Sequence, residues 1–290
     1  MKYYIGLDVG GTKIVGVLAD NKHHIIKKER KLTEADKPRK KTLENIFSLV
    51  NILKEGYEVE GIGISTPGYI RDDYLHDAPN IPKLNNTNIM DDFKKSIKEP
   101  FIVENDANCF AIAENTYWKK KYLIGVIIGT GIGTGIIIDG KLYRGKSGNT
   151  EFGHTIIDPS GLKCRCGKKG DFESWCSGTG IEKRYKAKSG NWKSAEEIFK
   201  SKDKLAKEII DETYEKLGIG LANIITALNP DLIVLGGGVS TDIDYNRINK
   251  EVKKNVIKEL RDDVKIVKNK LGADSGVIGA IELIKLNLYK

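Results

Sequence analysis

An apolar strand that ends in a glycine turn and returns as a second strand occurs twice in this chain, and that recurrence constrains the fold most. Tyr3–Val9 runs into Gly10-Gly11-Thr12-Lys13, and Ile14–Ala19 returns. Leu123–Ile128 runs into Gly129–Gly135, and Ile136–Ile138 returns to Asp139-Gly140. Ile5-Gly6-Leu7-Asp8-Val9-Gly10 and Ile124-Gly125-Val126-Ile127-Ile128-Gly129 have the same shape, about 120 residues apart. The repeat predicts two related lobes, each opening with strand, glycine turn and strand. A chain of 290 residues is long enough to give each lobe its own core.

Between the copies the pattern predicts a helix over 41–55 and a buried strand over 59–64 that ends at Ser65-Thr66-Pro67-Gly68. A loop containing Ala78-Pro79-Asn80-Ile81-Pro82 follows. The strand Phe101–Val103 runs into Glu104-Asn105-Asp106 and a helix over 107–118. After the second hairpin, the polar, glycine- and cysteine-rich stretch 144–180 is too long for an ordinary connection and reads as a functional excursion. Helices over 195–200 and 206–228 precede the apolar strand 232–235, which stops at Gly236-Gly237-Gly238. A helix, a strand over 264–267 and a terminal helix over 276–288 complete an α/β chain.

Three glycine turns therefore follow apolar strands, and glycine lets backbone N–H groups approach phosphate oxygens that side chains would block. One such turn alone is usually a hairpin; three at strand ends point to a phosphate cradle. None of the three has the spacing of a Walker loop or of G-x-G-x-x-G. Asp8, just before the first turn, can cap it or hold Mg²⁺. Asn105 and Asp106 can be helix caps; alternatively Asp106 is a carboxylate at a strand's C-terminal end that accepts a proton from an attacking hydroxyl. His154, with Cys164 and Cys166 ten and twelve residues on, supplies three of the four ligands of a structural zinc site, against buried free thiols as the plainer reading. Glu151 and Glu173 flank this region and are either surface glutamates or acceptors for a polyhydroxylated ligand.

Charge and composition narrow the class. The net charge of +8 and the basic runs at 37–41 and 119–121 come without a nucleic-acid recognition motif, so a lysine-rich solvated surface explains them, with some attraction for anionic ATP. No apolar run approaches the roughly 18 residues of a membrane helix, and the opening residues lack the h-region and cleavage site of a signal peptide. The Cys164-x-Cys166 spacing suits a metal rather than a disulfide and favours a reducing, cytoplasmic setting.

Together these residues resemble the ROK family (repressors, open reading frames and kinases), a branch of the actin-like, ribonuclease H-like ATPase fold. The resemblance rests on Asp8-Val9-Gly10-Gly11-Thr12-Lys13, Glu104-Asn105-Asp106-Ala107-Asn108, Gly129-Thr130-Gly131-Ile132-Gly133, Glu151-Phe152-Gly153-His154, Cys164-x-Cys166-Gly167-x-x-Gly170 and Asn229-Pro230-Asp231 leading to Gly236-Gly237-Gly238. It implies a two-lobed α/β protein with the active site in the cleft between lobes: a smaller lobe of 1–106 plus roughly 277–290, and a larger lobe of 107–276 carrying the metal and sugar loop 144–180. It implies an ATP-dependent sugar kinase using Mg²⁺, with Asp106 as general base. Gly68, Asn105, Glu151, His154 and Glu173 would bind the sugar. Asp8, Gly10, Gly11, Thr12, Lys13, Thr130 and Gly131 would hold the phosphates and their metal, and Gly236 and Gly237 would face the adenosine. His154, Cys164 and Cys166 would hold a structural Zn²⁺, with Asp171 in the slot of the family's third cysteine.

Glucose is the first expectation for the sugar, an N-acetylhexosamine such as N-acetylmannosamine the second, fructose the third. The family's small residues before Glu151 are replaced by Asn149-Thr150, which bears on sugar identity. The resemblance further implies a homodimer, with no nucleic acid or membrane partner. The family's sugar-responsive repressors carry a DNA-binding domain ahead of the first strand, whereas here that strand begins near residue 3.

Overall fold

The computed structural model describes residues 2–148 and 150–289. The chain forms two compact units, one made of 1–117, 143–149 and 271–290, the other of 118–142 and 150–270. The first unit runs β1 (Tyr3–Val9), β2 (Lys13–Asp20), β3 (Ile25–Leu32), α1 (Arg39–Lys54), β4 (Val59–Thr66), β5 (Tyr69–Arg71), β6 (Tyr74–His76), β7 (Thr87–Asn88), α2 (Ile89–Ser96), β8 (Phe101–Asn105) and α3 (Asp106–Trp118). The second has β9 (Leu123–Ile128), β10 (Ile132–Ile138), β11 (Lys141–Tyr143), α4 (Phe172–Cys176), α5 (Gly178–Ser189), α6 (Ala195–Lys200), α7 (Lys204–Leu228), β12 (Leu232–Gly236), α8 (Tyr245–Asn255) and β13 (Lys265–Lys268). The terminal helix α9 (Ser275–Leu288) closes the first unit.

The repeat in the sequence is a repeat in topology. The first sheet has the order β3-β2-β1-β4-β8 and the second β11-β10-β9-β12-β13. In each the opening hairpin is antiparallel, Val9 opposite Ile14 and Ile128 opposite Ile132, and its first strand then pairs in parallel with a later one, β1 with β4 and β9 with β12.

Side-chain alternation along β1 and β4 decides what packs on each face of the first sheet. Ile5, Leu7, Val9, Ile62 and Ile64 are buried in one core with Leu43, Ile46, Leu49 and Leu53 of α1. Each such side chain contributes about 1.5–3 kcal/mol by leaving water. The opposite face carries Tyr4, Gly6 and Asp8 on β1 and Gly61, Gly63 and Ser65 on β4, and here α9 packs through Val277, Ile281 and Ile284. A Cβ on Gly6 would overlap the Val277 carbonyl, one on Gly63 the Ala280 carbonyl, and one on Gly279 of α9 the Cys109 carbonyl of α3. The helix lies backbone to backbone in a glycine trough.

In the second unit one continuous core joins Ile124, Val126 and Ile128 of β9 with Ile233 and Leu235 of β12 and with the inner face of α7, through Leu217, Leu221, Ile224 and Ile225. The excursion 144–180 is more ordered than a loop. It holds a 3-10 turn at Phe152–His154, the short helix α4 and the start of α5.

Some elements differ from expectation. The strand β3 was not anticipated: it is an edge strand, exposed along most of its length, and its Ile-Ile-Lys-Lys-Glu-Arg-Lys-Leu sequence lacks the alternation of a half-buried strand. The amphipathic α2, capped by Asn88 Oδ1 on the Asp91 N–H, was likewise not anticipated. One glycine motif also escaped the sequence reading. Gly140-Lys-Leu-Tyr-Arg-Gly145-Lys146-Ser147 has the letters of a Walker loop, but β11 occupies its middle and no helix follows it, so it does not form one.

The trough gives a direct test. Gly63→Val is expected to destabilise the protein by about 3 kcal/mol or more in denaturant unfolding, because overpacking here meets main chain that cannot move aside. Gly238→Ala, where nothing lies within 4 Å of the added carbon and φ is −58°, is expected to leave the unfolding midpoint unchanged.

Candidate active site

In the first unit the relevant side chains gather at the carboxyl ends of three parallel strands, where open α/β sheets place ligands. Asp8 pairs in register with Ser65, and Thr66 with Asn105. Ser65 Oγ donates to Asp8 Oδ1 at 2.9 Å. Burial pushes the Asp8 carboxyl above its ordinary pKa, against the opposing effects of the Ser65 hydroxyl and Lys13. A carboxyl group desolvated with a single hydroxyl donor suits a cation or its bound water. Gly276, in the first turn of α9, lies so close that a Cβ there would come within 2.7–2.9 Å of this carboxylate. The turn Gly10–Lys13 is pinned from behind by Thr33, whose hydroxyl donates to the Gly10 carbonyl at 2.6 Å and whose N–H donates to the Thr12 carbonyl at 3.0 Å.

At the end of β8 the capping question resolves by residue. Asn105 Oδ1 accepts from the N–H groups of Ala107 (2.9 Å) and Asn108 (3.2 Å), so Asn105 caps α3, while its amide donates to the Gly68 carbonyl at 2.8 Å. Asp106 follows as the first helical residue, half-buried, with Oδ1 accepting from the Ala107 N–H at 2.8 Å. Asp8, Gly10–Lys13, Gly68, Asn105 and Asp106 thus share one unit.

The second unit carries Thr130-Gly131 and Gly236-Gly237 at the ends of β9 and β12 and the other expected residues on the segment that leads into α4. The Ile132 N–H, just past the glycine turn, donates to Glu173 Oε2 at 2.9 Å. A Cβ on Gly131 would lie 2.5 Å from that same oxygen, so a side chain there would require the Glu173 carboxylate to move. After β12, Gly237 has φ 85°, and a Cβ there would sit 2.5 Å from the Ile128 carbonyl oxygen, so Gly236-Gly237 turns against the end of β9. Glu151 immediately precedes the 3-10 turn that presents His154, and its own side chain is exposed. Thr150 pairs with Thr134, its hydroxyl donating to the Thr134 carbonyl at 3.2 Å; Asn149 lies outside the described residues.

His154, Cys164, Cys166 and Asp171 offer ligand atoms that all lie within 4.8 Å of one another. His154 Nδ1 is 2.9 Å from Asp171 Oδ2, Cys166 Sγ is 3.4 Å from the same oxygen, and Cys164 Sγ is 3.7 Å from His154 Nδ1. Such separations suit four ligands around one ion at tetrahedral zinc distances of about 2.0–2.3 Å. The mixed nitrogen, sulfur and oxygen donor set fits zinc. Asp171 divides its work: Oδ1 caps α4 by accepting from the Ser174 N–H at 2.8 Å, which leaves Oδ2 for the cluster. Burial pushes its carboxyl up, but hydrogen bonds from Cys164, His154 and Ser174 outweigh this and hold it below the ordinary carboxylate range. Cys176 is fully buried and its Sγ faces the Thr213 carbonyl, away from this set.

Sequence reasoning missed Ser65, Glu104, Asn108, Arg144 and Gly276. Their signal was weak: small or polar residues at strand and helix ends, whose partners are far away in sequence.

The two oxygens of Asp171 make its roles separable. Asp171→Ala is expected to lose bound zinc, measured by elemental analysis, and about 1 kcal/mol of stability from the cap. Asp171→Ser is expected to keep the cap and still lose the metal. Wild-type protein purified without chelator is expected to carry about one zinc per chain.

The chain is similar over its whole length to known sugar kinases. An N-acetyl-D-glucosamine kinase of Mannheimia succiniciproducens is 34% identical across 96% of this chain and 98% of its own length. A glucokinase of Thermotoga maritima is 28% identical across 97% of this chain and 96% of its own. The crystal structure of a ROK family glucokinase from Streptomyces griseus, in complex with glucose and AMPPNP, superposes with a TM-score of 0.83 and 29% identity over 98% of this chain and 99% of that one. The mixed α/β fold is accordingly that of the actin-like ATPases. The ROK family profile matches residues 4–287, from within β1 to within α9, so the match takes in both glycine hairpins and both groups of site residues, and the chain belongs to the ROK family.

Proposed function

We propose that this protein transfers the γ-phosphoryl group of ATP to the 6-hydroxyl of N-acetyl-D-glucosamine. The chain is a sugar kinase of the ROK family that phosphorylates hexoses; the choice among hexoses is the proposal. It is carried by the 34% identity, over nearly the whole of both chains, to an enzyme named for that substrate. Glucose, the first expectation from sequence, is the second reading, favoured by the Streptomyces griseus glucokinase solved with glucose.

In this reading Asp106 takes the proton of the attacking hydroxyl as its oxygen forms the new bond to the γ-phosphorus and ADP departs. Such a reaction asks little covalent chemistry of the protein and much positioning and charge neutralisation. Asn105, held by the α3 cap and the Gly68 carbonyl, and Glu151, His154 and Glu173 bind the sugar hydroxyls. The N–H groups of Gly10–Lys13 and of Thr130-Gly131 meet the phosphates, and Gly236-Gly237 meet the adenosine. A Mg²⁺ accompanying ATP would be held near Asp8 and would neutralise phosphate charge. Zinc at His154, Cys164, Cys166 and Asp171 would fix the turn that presents His154.

ADP release measured across glucose, N-acetyl-D-glucosamine, N-acetylmannosamine and fructose tests the substrate. The expected result is the highest kcat/KM for N-acetyl-D-glucosamine; a higher value for glucose would move the assignment to the second reading. Asp106→Asn is expected to lower kcat by a factor of about 10² or more while sugar and ATP dissociation constants stay within a few-fold in calorimetry. Turnover close to wild type would remove Asp106 as the base.

A further inference from the structure

We infer that Glu104, Asn108 and Arg144 form a latch that positions the segment 144–148 against the strand end bearing the catalytic base. Its effect on catalysis rests on the sugar-kinase reading; its existence does not. Residues 143–149 belong to the first unit, although the chain on both sides, 118–142 and 150–270, belongs to the second. From Arg144 to Gly148 the segment has a turn but no strand or helix of its own, and side chains tie it to the first unit.

They do so at both ends through one carboxylate. Arg144 Nε donates to Glu104 Oε2 at 2.6 Å. Asn108 Nδ2 donates to Glu104 Oε1 at 3.0 Å and also to the Gly148 carbonyl at 3.0 Å. Glu104 Oε1 accepts in addition from the Asn105 N–H at 2.9 Å. Glu104 and Asn108 are buried, whereas the Arg144 side chain is 39% exposed.

A buried carboxylate is costly unless paired and hydrogen-bonded, and Glu104 has both kinds of partner. Both partners of Asn108 Nδ2 are acceptors, so the amide orientation is fixed, and Asn108 Oδ1 lies buried without a partner among the described residues. Replacing both partners of such a pair by apolar groups of the same shape can cost little stability, so the effect sought here is placement rather than stability.

Glu104 adjoins Asn105, which caps α3 and grips the Gly68 carbonyl, and stands two residues before Asp106. At the other end Gly148, at φ 105°, leads in three residues to Glu151. One carboxylate thereby sets both the base-bearing strand end and the point from which the chain continues to a sugar-binding glutamate. All three are positioning residues rather than catalytic ones.

Arg144→Met tests this, since the half-exposed site tolerates the change. The expected result is a hexose KM raised roughly tenfold, with the ATP KM within about twofold of wild type. Amide hydrogen exchange in 144–148 should be roughly tenfold faster than in wild type. Arg144→Lys should recover most of both, and Glu104→Gln should reproduce the Met result. Unchanged exchange in Arg144→Met would overturn the latch. So would faster exchange with an unmoved hexose KM, or equal rises in both KM values. A wild-type protein inactive on every hexose of the panel would overturn the sugar-kinase reading instead, and the exchange measurement would still decide the latch.

Discussion

The first unit depends on how closely the terminal helix approaches its sheet. Glycines at positions 6, 61 and 63 line one face of two adjacent strands, and Gly279 of the helix meets the Cys109 carbonyl of α3. The helix therefore packs main chain against main chain on two sides. Rows of side chains would have held it farther off, since helices packed through side chains stand 8–10 Å apart. The same alternation that points Gly6 and Gly63 at the helix points Asp8 and Ser65 at it one step farther along, beside its first turn. Thus the spacing that seats the helix also fixes the carboxylate assigned to the cation of ATP. A packing rule and a functional geometry are here one arrangement.

Both sheets repeat this logic in topology. Each opens with an antiparallel hairpin whose turn is glycine-rich, and each continues with parallel strands, Asn105 ending β8 in the first and Gly236 ending β12 in the second. Glycine serves two ends at these turns. At Gly237 it supplies a left-handed backbone, and at Gly131 it makes room for the Glu173 carboxylate. From sequence, Gly131 reads as space for phosphate. Because a side chain there would strike Glu173 first, changing this glycine would disturb the glutamate assigned to the sugar as well as the nucleotide.

Much of this was legible in the sequence because it is local. Strand, glycine turn and strand follow from apolar runs and breakers; the Asn105-Asp106 pair follows from a strand that hands over to a helix; the Cys-x-Cys spacing follows from ligand geometry. What stayed hidden depends on distant partners. The edge strand β3 is charged along its length because it is solvated, and only its pairing with β2 makes it a strand. Glu104 looked like one more residue of a motif until Arg144, forty positions on, was found beside it. The Walker-like letters at 140–147 fail in the opposite way: the spacing is present, but the strand–loop–helix context that gives it meaning is not.

The aspartate at position 171, in the slot where the resemblance implied a cysteine, does two things in the structure. A cysteine there would add a third thiolate to those of Cys164 and Cys166 and would cap α4 poorly, because cysteine is not among the residues that serve helix N-termini. A carboxylate has two oxygens. One accepts from the Ser174 N–H and begins the helix that carries Glu173, while the other faces His154 and Cys166. The helix N-terminus also favours the negative charge of this carboxylate. One fully buried side chain thus caps the helix and offers an oxygen to the proposed metal site, two residues from the glutamate whose oxygen receives the Ile132 N–H. The short helix α4 thereby links the cluster of His154, Cys164, Cys166 and Asp171 at its N-terminus to the glycine turn of β9 through the hydrogen bond of Glu173.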